Sequence, residues 1–458
     1  MRPTVRLMTR LIARPVALLA ALALASAAWA QSGPPQSTAF VHVNVAPMDS
    51  DHVLRDQTVL VKDGRIEAVG AALATPAGYR VVDGHGTAWV SPGLADMHTH
   101  SETRDDLALY LSKGVTTLLN MGGARPNLVD SIIPAVARGA LPGPHVYASL
   151  MVDGTPDYNG LQVKTPAQAR AVVDLAAANG YDYIKVYTGL APEVFGALAD
   201  AGRAQHMPLV GHGVTAVRLE RQLAQGQVMV AHLEEFFYTF FTPAGAQETD
   251  VPPDESRIPE AVALARRHGA AVIADVVTYH AIASQIGHPE VVRAFLTAPE
   301  TAYLSPSDMQ AWRRSGYAGK SARLEAKLAF LRKLAKAMAD GGVELLSGTD
   351  APSIPGLVPG YSLHDNLAEL EGSHLSRYQA LATATSAPGA FIARTKGGVP
   401  FGQVVAGYRA DLLLTEHNPL DGLSTLRAPL GVMAEGRWYD RPALAALQAG
   451  VRANYRPD

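Results

Sequence analysis

Six residues of this chain carry side chains that could act together on a metal ion. They are His98 and His100 in LADMHTH, Lys185 in YIKVY, His212 in LVGHG, His232 in VMVAHLEE and Asp350 in LLSGTD. His98 and His100 share one apolar run; each of the others lies in, ends or follows its own. Residues two apart on a strand project to the same face, so the first two histidines can point at one spot. Neutral imidazole nitrogens and carboxylate oxygens suit zinc and neighbouring divalent first-row metals. The chain has no cysteine, so the thiolates of the usual structural zinc sites are missing and the centre would be catalytic. Six candidates exceed the three protein ligands of an ordinary mononuclear catalytic centre, which suggests two ions about 3.5 to 4 Å apart sharing a bridge. A lysine ammonium cannot ligate. Buried beside two cations, however, its pKa would fall, and the amine could combine with carbon dioxide into a carbamate, which is a bridging carboxylate.

Each position also has an ordinary structural reading. A lone histidine in a strand is commonly a packed or hydrogen-bonded residue. Lys185 could snorkel to a rim, and Asp350 could cap the next helix. The joint pattern favours the chemical reading, because it needs six independent accidents at the ends of apolar runs to arise otherwise.

What must position these residues is a repeated phrase of short apolar run, polar junction and helix-like run. Candidate strands cover residues 94–98, 115–120, 145–150, 183–187, 208–211, 228–232, 271–277 and 343–347. Thr165-Pro166 reads as a helix start and Gly180 as the matching stop. Eight strand and helix units favour a TIM-like (β/α)8 barrel over an open doubly wound sheet, and strand C-terminal ends in such a barrel converge on one mouth.

Strand-like runs at 57–61 and 65–69 are joined by Lys62, Asp63 and Gly64, a hairpin signal, and similar runs fall at 411–415 and 430–438. Flanking the barrel, they are expected to pair into one small composite β-sandwich domain. The expected division is an export segment over 1–30, sandwich over 31–90, barrel over 91–395 and sandwich again over 396–458. The connection from 278 to 342 is far longer than an ordinary barrel junction and reads as an insertion that shapes or covers the pocket. Tyr187 and His280, at or just past strand ends, and Tyr361 with His364, after Asp350, are candidates for substrate contact, with simple packing the competing reading for each.

Composition narrows the partner. The chain has 458 residues, 48% hydrophobic and 18% charged, as in an ordinary globular protein. Arg2, Arg6, Arg10 and Arg14, an apolar run from Val16 to Ala28 and then Ala28-Trp29-Ala30 have the form of an export signal with a cleavage site, giving a periplasmic or secreted chain that starts at Gln31. Losing those four arginines and no acids takes the formal charge from −3 to −7. A nucleic acid or an anionic membrane is therefore a poor partner and a small molecule a better one, with self-association left open.

The motifs GLADMHTH, YIKVY, VGHG, VAHLEE and SGTDAP, followed by GYSLHDNLAEL, LATATSAPGAFI and GYRADLLLTEHNPLDG, resemble the amidohydrolase superfamily over about residues 41–439. The resemblance is to its imidazolonepropionase- and prolidase-like group with a carboxylated lysine and a binuclear centre. It implies that His98, His100 and Asp350 hold the more buried of two divalent ions, zinc foremost, and that His212 and His232 hold the second. Lys185 as the carbamate would bridge them together with a hydroxide that attacks the substrate, and Asp350 would relay the proton. Two positions depart from similar sequences: Asn366 stands where glutamate is usual, and His145 where arginine is usual. The activity implied is hydrolysis of an amide or peptide C–N bond in a dipeptide or N-acyl amino acid. Lactone, ester or phosphoester hydrolysis at the same centre, and a binding protein that kept the fold, stay open.

Overall fold

The computed structural model describes residues 34–158 and 160–455; the expected export segment lies outside them. Its larger sheet is a parallel barrel. The strands are β1 (Leu94–Thr99), β2 (Val115–Asn120), β3 (His145–Asp153), β4 (Tyr183–Val186), β5 (Leu209–Gly211), β6 (Gln227–Val230), β7 (Ala271–Ile273) and β8 (Leu345–Leu346), each paired with the next. Every residue of β1 and β2 is buried, as expected of strands covered on both faces. Ala95, Met97, Leu119, Val210, Met229 and Ile273 fill the interior as part of one apolar cluster.

The barrel closes where β8 returns to β1. Met97 N donates to Ser347 O at 2.8 Å, Asp350 N to His98 O at 2.8 Å and His100 N to Ala351 O at 2.8 Å. The first and last motifs of the site thus share a hydrogen-bonded seam. Gly348 is needed there, because a Cβ at this position would sit 2.7 Å from the His98 Cβ and 2.7 Å from Ile273 Cγ2.

Local sequence explains the surrounding helices. Thr165 and Gln168 form a reciprocal capping box at the start of Pro166–Ala178, and Gly180 follows that helix at φ +76°. Helix Pro192–Ala204 turns Val194, Phe195 and Leu198 inward, and Pro166–Ala178 does the same with Val172 and Val173.

The second sheet draws on both ends of the described chain. Antiparallel hairpin Leu54–Lys62 and Arg65–Gly70 turns at Asp63 (φ +50°) and Gly64 (φ +75°), the left-handed pair that the Asp-Gly signal predicts. Strand Trp89–Pro92 joins Leu412–Thr415, and Thr38–Val45 takes Leu54–Lys62 on one edge and Arg80–Asp83 then Trp89–Pro92 on the other. The eight strands are hydrogen-bonded into one continuous sheet that folds over on itself, as the composite sandwich expects: Phe40 packs on Trp438, four strands away in the sheet order, at 5.1 Å between ring centroids, in a core with Val59, Leu412 and Met433.

Three local expectations are corrected. The run 271–277 ends as a strand at Ile273, and Val276–Gln285 is a helix. Its β-branched residues suggest extension, but Asn366 Oδ1 accepts from Val277 N at 3.2 Å and draws the segment against helix Tyr361–Gly372. The run 430–438 is two strands, Gly431–Ala434 and Arg437–Asp440, reversed at Glu435 (φ +49°) and Gly436 (φ +77°). Arg441–Asn454, expected within the sandwich, is a helix capped by Asp440, with Tyr455 just beyond it hydrogen-bonded to Thr103 at 2.9 Å, beside barrel helix Arg104–Ser112.

The insertion is itself helical, over Pro289–Thr297, Pro306–Arg313 and Glu325–Asp340. It reaches the site's scaffold: buried Trp312 donates from Nε1 to Pro352 O at 2.7 Å, and Gln285 donates to Pro355 O at 2.9 Å.

Candidate metal centre

The six residues singled out by type and spacing meet at the C-terminal mouth of the barrel. His98 and His100 come from β1, Lys185 from β4, His212 follows β5, His232 follows β6 and Asp350 follows β8. Asp350 Oδ1 lies 2.9 Å from His100 Nε2 and 3.4 Å from His98 Nε2, and Lys185 Nζ lies 3.4 Å from the same His98 nitrogen. The rings of His98 and His232 are 4.3 Å apart and those of His212 and His232 4.9 Å.

The other ring nitrogen of each histidine is spoken for. His98 Nδ1 faces Ala231 O at 2.9 Å and His100 Nδ1 faces Gly122 O at 3.2 Å. His212 Nδ1 meets Glu235 Oε1 and His232 Nδ1 meets Asp275 Oδ2, each at 2.5 Å. With Nδ1 donating to these acceptors, Nε2 keeps its lone pair for a cation, which is the arrangement expected around a metal-binding imidazole. The donor set therefore fits a divalent ion: His98, His100 and Asp350 converge within the spacing that one ion needs, and His98, His232 and Asp275 are equally close, with Asp275 engaged by His232 Nδ1.

Electrostatics point the same way at His98, His212 and Lys185 and the opposite way at His232. Burial pushes His98 and His212 well below the ordinary imidazole range, so both rings are neutral. Burial also lowers Lys185 to about 8 against the opposing pull of Asp350, Glu235 and Asp275, bringing the free amine within reach near neutral pH. For His232 burial acts downward too, but Asp275 and Glu234 outweigh it and raise the ring to about 10. A proton there occupies the lone pair that a cation would take.

Glu235 and Asp275 were not found by sequence reasoning. Asp275 follows an apolar strand much as the ligands do, which was an available signal; Glu235 sits in a Glu-Glu pair whose spacing distinguishes neither residue. Of the two departures, Asn366 donates to Ala274 O at 3.0 Å and to Ser347 Oγ at 3.3 Å, tying the ends of β7 and β8 together. His145 pairs with Glu435 at 2.7 Å on the sheet-domain side.

The centre opens into a cavity of about 600 Å³. Tyr187 lines it, its ring 4.0 Å from His212 and 4.2 Å from Tyr158, and Glu102 with Arg125 stands at another part of the wall. The remaining substrate-contact candidates lie outside that lining. His280 pairs with Glu369 at 2.7 Å, buried His364 faces Lys113 O through Nε2 at 2.9 Å, and Tyr361 packs on Tyr303 and beneath Lys113. Among the described residues no helix is long and apolar enough to cross a membrane.

No family model matches the chain. Partial matches link it to curated proteins: it is 39% identical over 70 residues to an imidazolonepropionase of Cupriavidus pinatubonensis, covering 14% of this chain and 16% of that one. It is 38% identical over 98 residues to a deacetylase of Brucella anthropi, covering 19% of this chain and 24% of that one. The chain thus matches well under half the length of these relatives. Among solved structures, bottromycin amidohydrolase aligns over 95% of this chain and 94% of its own at 25% identity and a TM-score of 0.74. A Xaa-Pro dipeptidase with methionine bound in its active site shares the fold, with TM-score 0.65, 18% identity and coverage of 88% and 100%.

The barrel with its attached sheet domain and these matches together support the amidohydrolase superfamily for this chain. Within that superfamily its likenesses run to imidazolonepropionase, deacetylase and dipeptidase alike.

Proposed function

We propose that this protein is a metal-dependent hydrolase of an amide or peptide C–N bond in a small substrate of the dipeptide or N-acyl amino acid type. The observation that carries the reading is the meeting of four imidazoles, Asp350 and buried Lys185 at one cavity, with Nδ1 of every histidine facing a carboxylate or carbonyl oxygen. Two divalent ions, zinc foremost, would be held by His98, His100 and Asp350 and by His212 and His232. When bound they supply Lewis acidity and an acidified water.

The chain's own residues do the rest. Asp350 Oδ1, beside two imidazoles, takes up a proton and passes it to the leaving nitrogen. Its carboxyl is ionised and so free to accept. Burial acts to raise its pKa, but the His100 hydrogen bond and charge, with His232 and Lys185, hold it at about 2. Lys185 would help to hold the ions as a carbamate, formed when Nζ bonds to the carbon of carbon dioxide and releases one proton. Tyr187 and Tyr158 wall the cavity on the His212 side.

We further infer an exported chain, with the segment through Ala30 removed and a small molecule as its partner; N-terminal sequencing of exported protein finding Gln31 first tests this. The function is tested by metal analysis of the purified protein followed by a panel of dipeptides, N-acyl amino acids, lactones and phosphoesters. Turnover of the amides that is lost to a chelator and restored by zinc is the expected result. Exclusive turnover of a lactone or phosphoester overturns the amide assignment.

A further inference from the structure

Next to the catalytic cavity lies a second one of about 470 Å³. Glu102 and Arg125 line both, so the two spaces adjoin across this single ion pair. The pair makes a poor barrier. Arg125 reaches Glu102 through Nε, yet its side chain is 78% exposed while that of Glu102 is 9% exposed. The exposed guanidinium can swing into solvent while Arg125 N still donates to Glu102 Oε1 at 3.3 Å, so the carboxylate keeps a partner.

The lining of the second cavity is mixed. Leu128, Ile132 and Leu141 supply its apolar part, and besides the shared ion pair Thr103, Arg104, Asp105, Asn127, Ser305 and Tyr455 supply the polar part. The hydroxyls of Thr103 and Tyr455 bond each other at 2.9 Å, so they make little demand on a ligand. Asn127, at the start of the turn over Leu128–Ile132, makes no side-chain cap. Nothing here resembles a second reactive centre, and continuity with the catalytic cavity points to one occupant: the distal part of the same substrate.

We propose that the substrate is bipartite, with its scissile amide in the catalytic cavity and an extended apolar acyl group passing the Glu102–Arg125 pair into the second cavity. The inference rests on the amide-hydrolase reading and deepens it, from N-acyl amino acids in general to those with a long aliphatic acyl chain. Such a chain would bury its methylenes on Leu128, Ile132 and Leu141, whereas an acetyl group would end before the pair. Asn127 is then a specificity-determining residue, because a bulky side chain there would fill the second cavity without adjoining the metal centre.

The test compares N-acetyl-, N-octanoyl- and N-dodecanoylglycine with the zinc-loaded full-length mature protein. The expected kcat/KM for the dodecanoyl compound is at least tenfold above that for the acetyl compound, and Asn127→Trp brings that ratio close to one. Calorimetric binding of the same compounds to Asp350→Asn is read separately and is expected to tighten at least tenfold with chain length. Turnover or binding of the wild-type site that is flat with chain length overturns the proposal, as does an unaltered ratio in Asn127→Trp. If none of the three is hydrolysed but binding still tightens with length, the hydrolase reading fails for these amides and the distal cavity stands. If all are hydrolysed equally, the reverse holds.

Discussion

Asp275 and His232 face each other at 2.5 Å, deep in the barrel mouth, with the Asp275 side chain fully buried. The carboxylate fixes which nitrogen of His232 carries the proton and so which one is offered to a cation. Glu235 does the same for His212 and, through its other oxygen, accepts from Gly213 N at 2.9 Å. Two acids outside the ligand set thus determine how two of the ligands behave.

Replacing either acid should therefore weaken metal binding without removing a ligand. Asp275→Asn and Glu235→Gln are each expected to lower zinc affinity by about 10- to 100-fold, the range found for partners of ligating histidines. Competition with a chromophoric chelator measures this, and wild-type affinity in both variants would separate the acids from the centre.

Lys185 makes a sharper case. Lys185→Ala should lose most of its metal and activity, and a short carboxylate such as formate or acetate in solution should restore part of both by filling the vacated space. Intact mass measured under native conditions should show the added mass of carbon dioxide on the wild-type chain. An unmodified Lys185 in a fully active, two-metal enzyme would falsify the bridge.

Asp350 acts, on this reading, chiefly as the reaction proceeds. In metal-replete Asp350→Asn, kcat should fall by a factor of at least 10² while KM changes little, since an interaction made only in the transition state shows in kcat. Steady-state kinetics alongside metal analysis decides it; a normal kcat removes Asp350 from the proton relay.

On the sheet-domain side the charge balance predicts an acid-range stability profile. Burial acts to raise the Glu435 carboxyl, but the His145 hydrogen bond and charge, with Arg409 and Arg437, hold it at about 2. A depressed carboxyl stabilises the fold above its unfolded pKa, and that contribution drains away as pH falls from about 4.5 toward 2, on the order of 2–3 kcal/mol in all. Thermal unfolding followed from pH 6 to pH 2.5 should thus show a smaller loss of Tm in Glu435→Gln than in wild type. Parallel profiles for the two proteins would contradict the assignment.

The residues that meet at the barrel mouth were legible in the sequence because strand geometry imposes spacing on them. His98 and His100 share a face by the period of two, and the end of a barrel strand is marked by the apolar run before it. Asp275 carries the strand-end signal, hidden by reading 271–277 as one continuous strand; Glu235 carries none, and only the closed barrel brings each to its histidine, 43 residues away for Asp275 and 23 for Glu235. Val276 and Val277 misled for a related reason, since their intrinsic preference for strand yields to the hydrogen bond from Val277 N to Asn366, 89 residues away. The turn at Glu435-Gly436 and the Asp440-Arg441-Pro442 helix start, by contrast, were written in local residues and simply overlooked. His364 and Tyr361 looked reactive by type and position along the chain, yet their partners, Lys113 and Tyr303, come from elements that no local pattern connects to them.

The outer sheet imposes an order of events on the growing chain. Strand Trp89–Pro92 has Thr38–Val45 on one edge, and its other edge finds a partner only in Leu412–Thr415, with Val90 opposite Leu414. More than three hundred residues must therefore be made before that edge can be covered, and loop closure over such a span is slow to repay its entropy. During synthesis the amino-terminal half of the sheet waits with one edge unpaired, and a ribosome that stalls anywhere in the barrel leaves that edge open to other chains. The last stretch of the protein is thus its own safeguard against association, and truncated products are the ones a cell would have to clear.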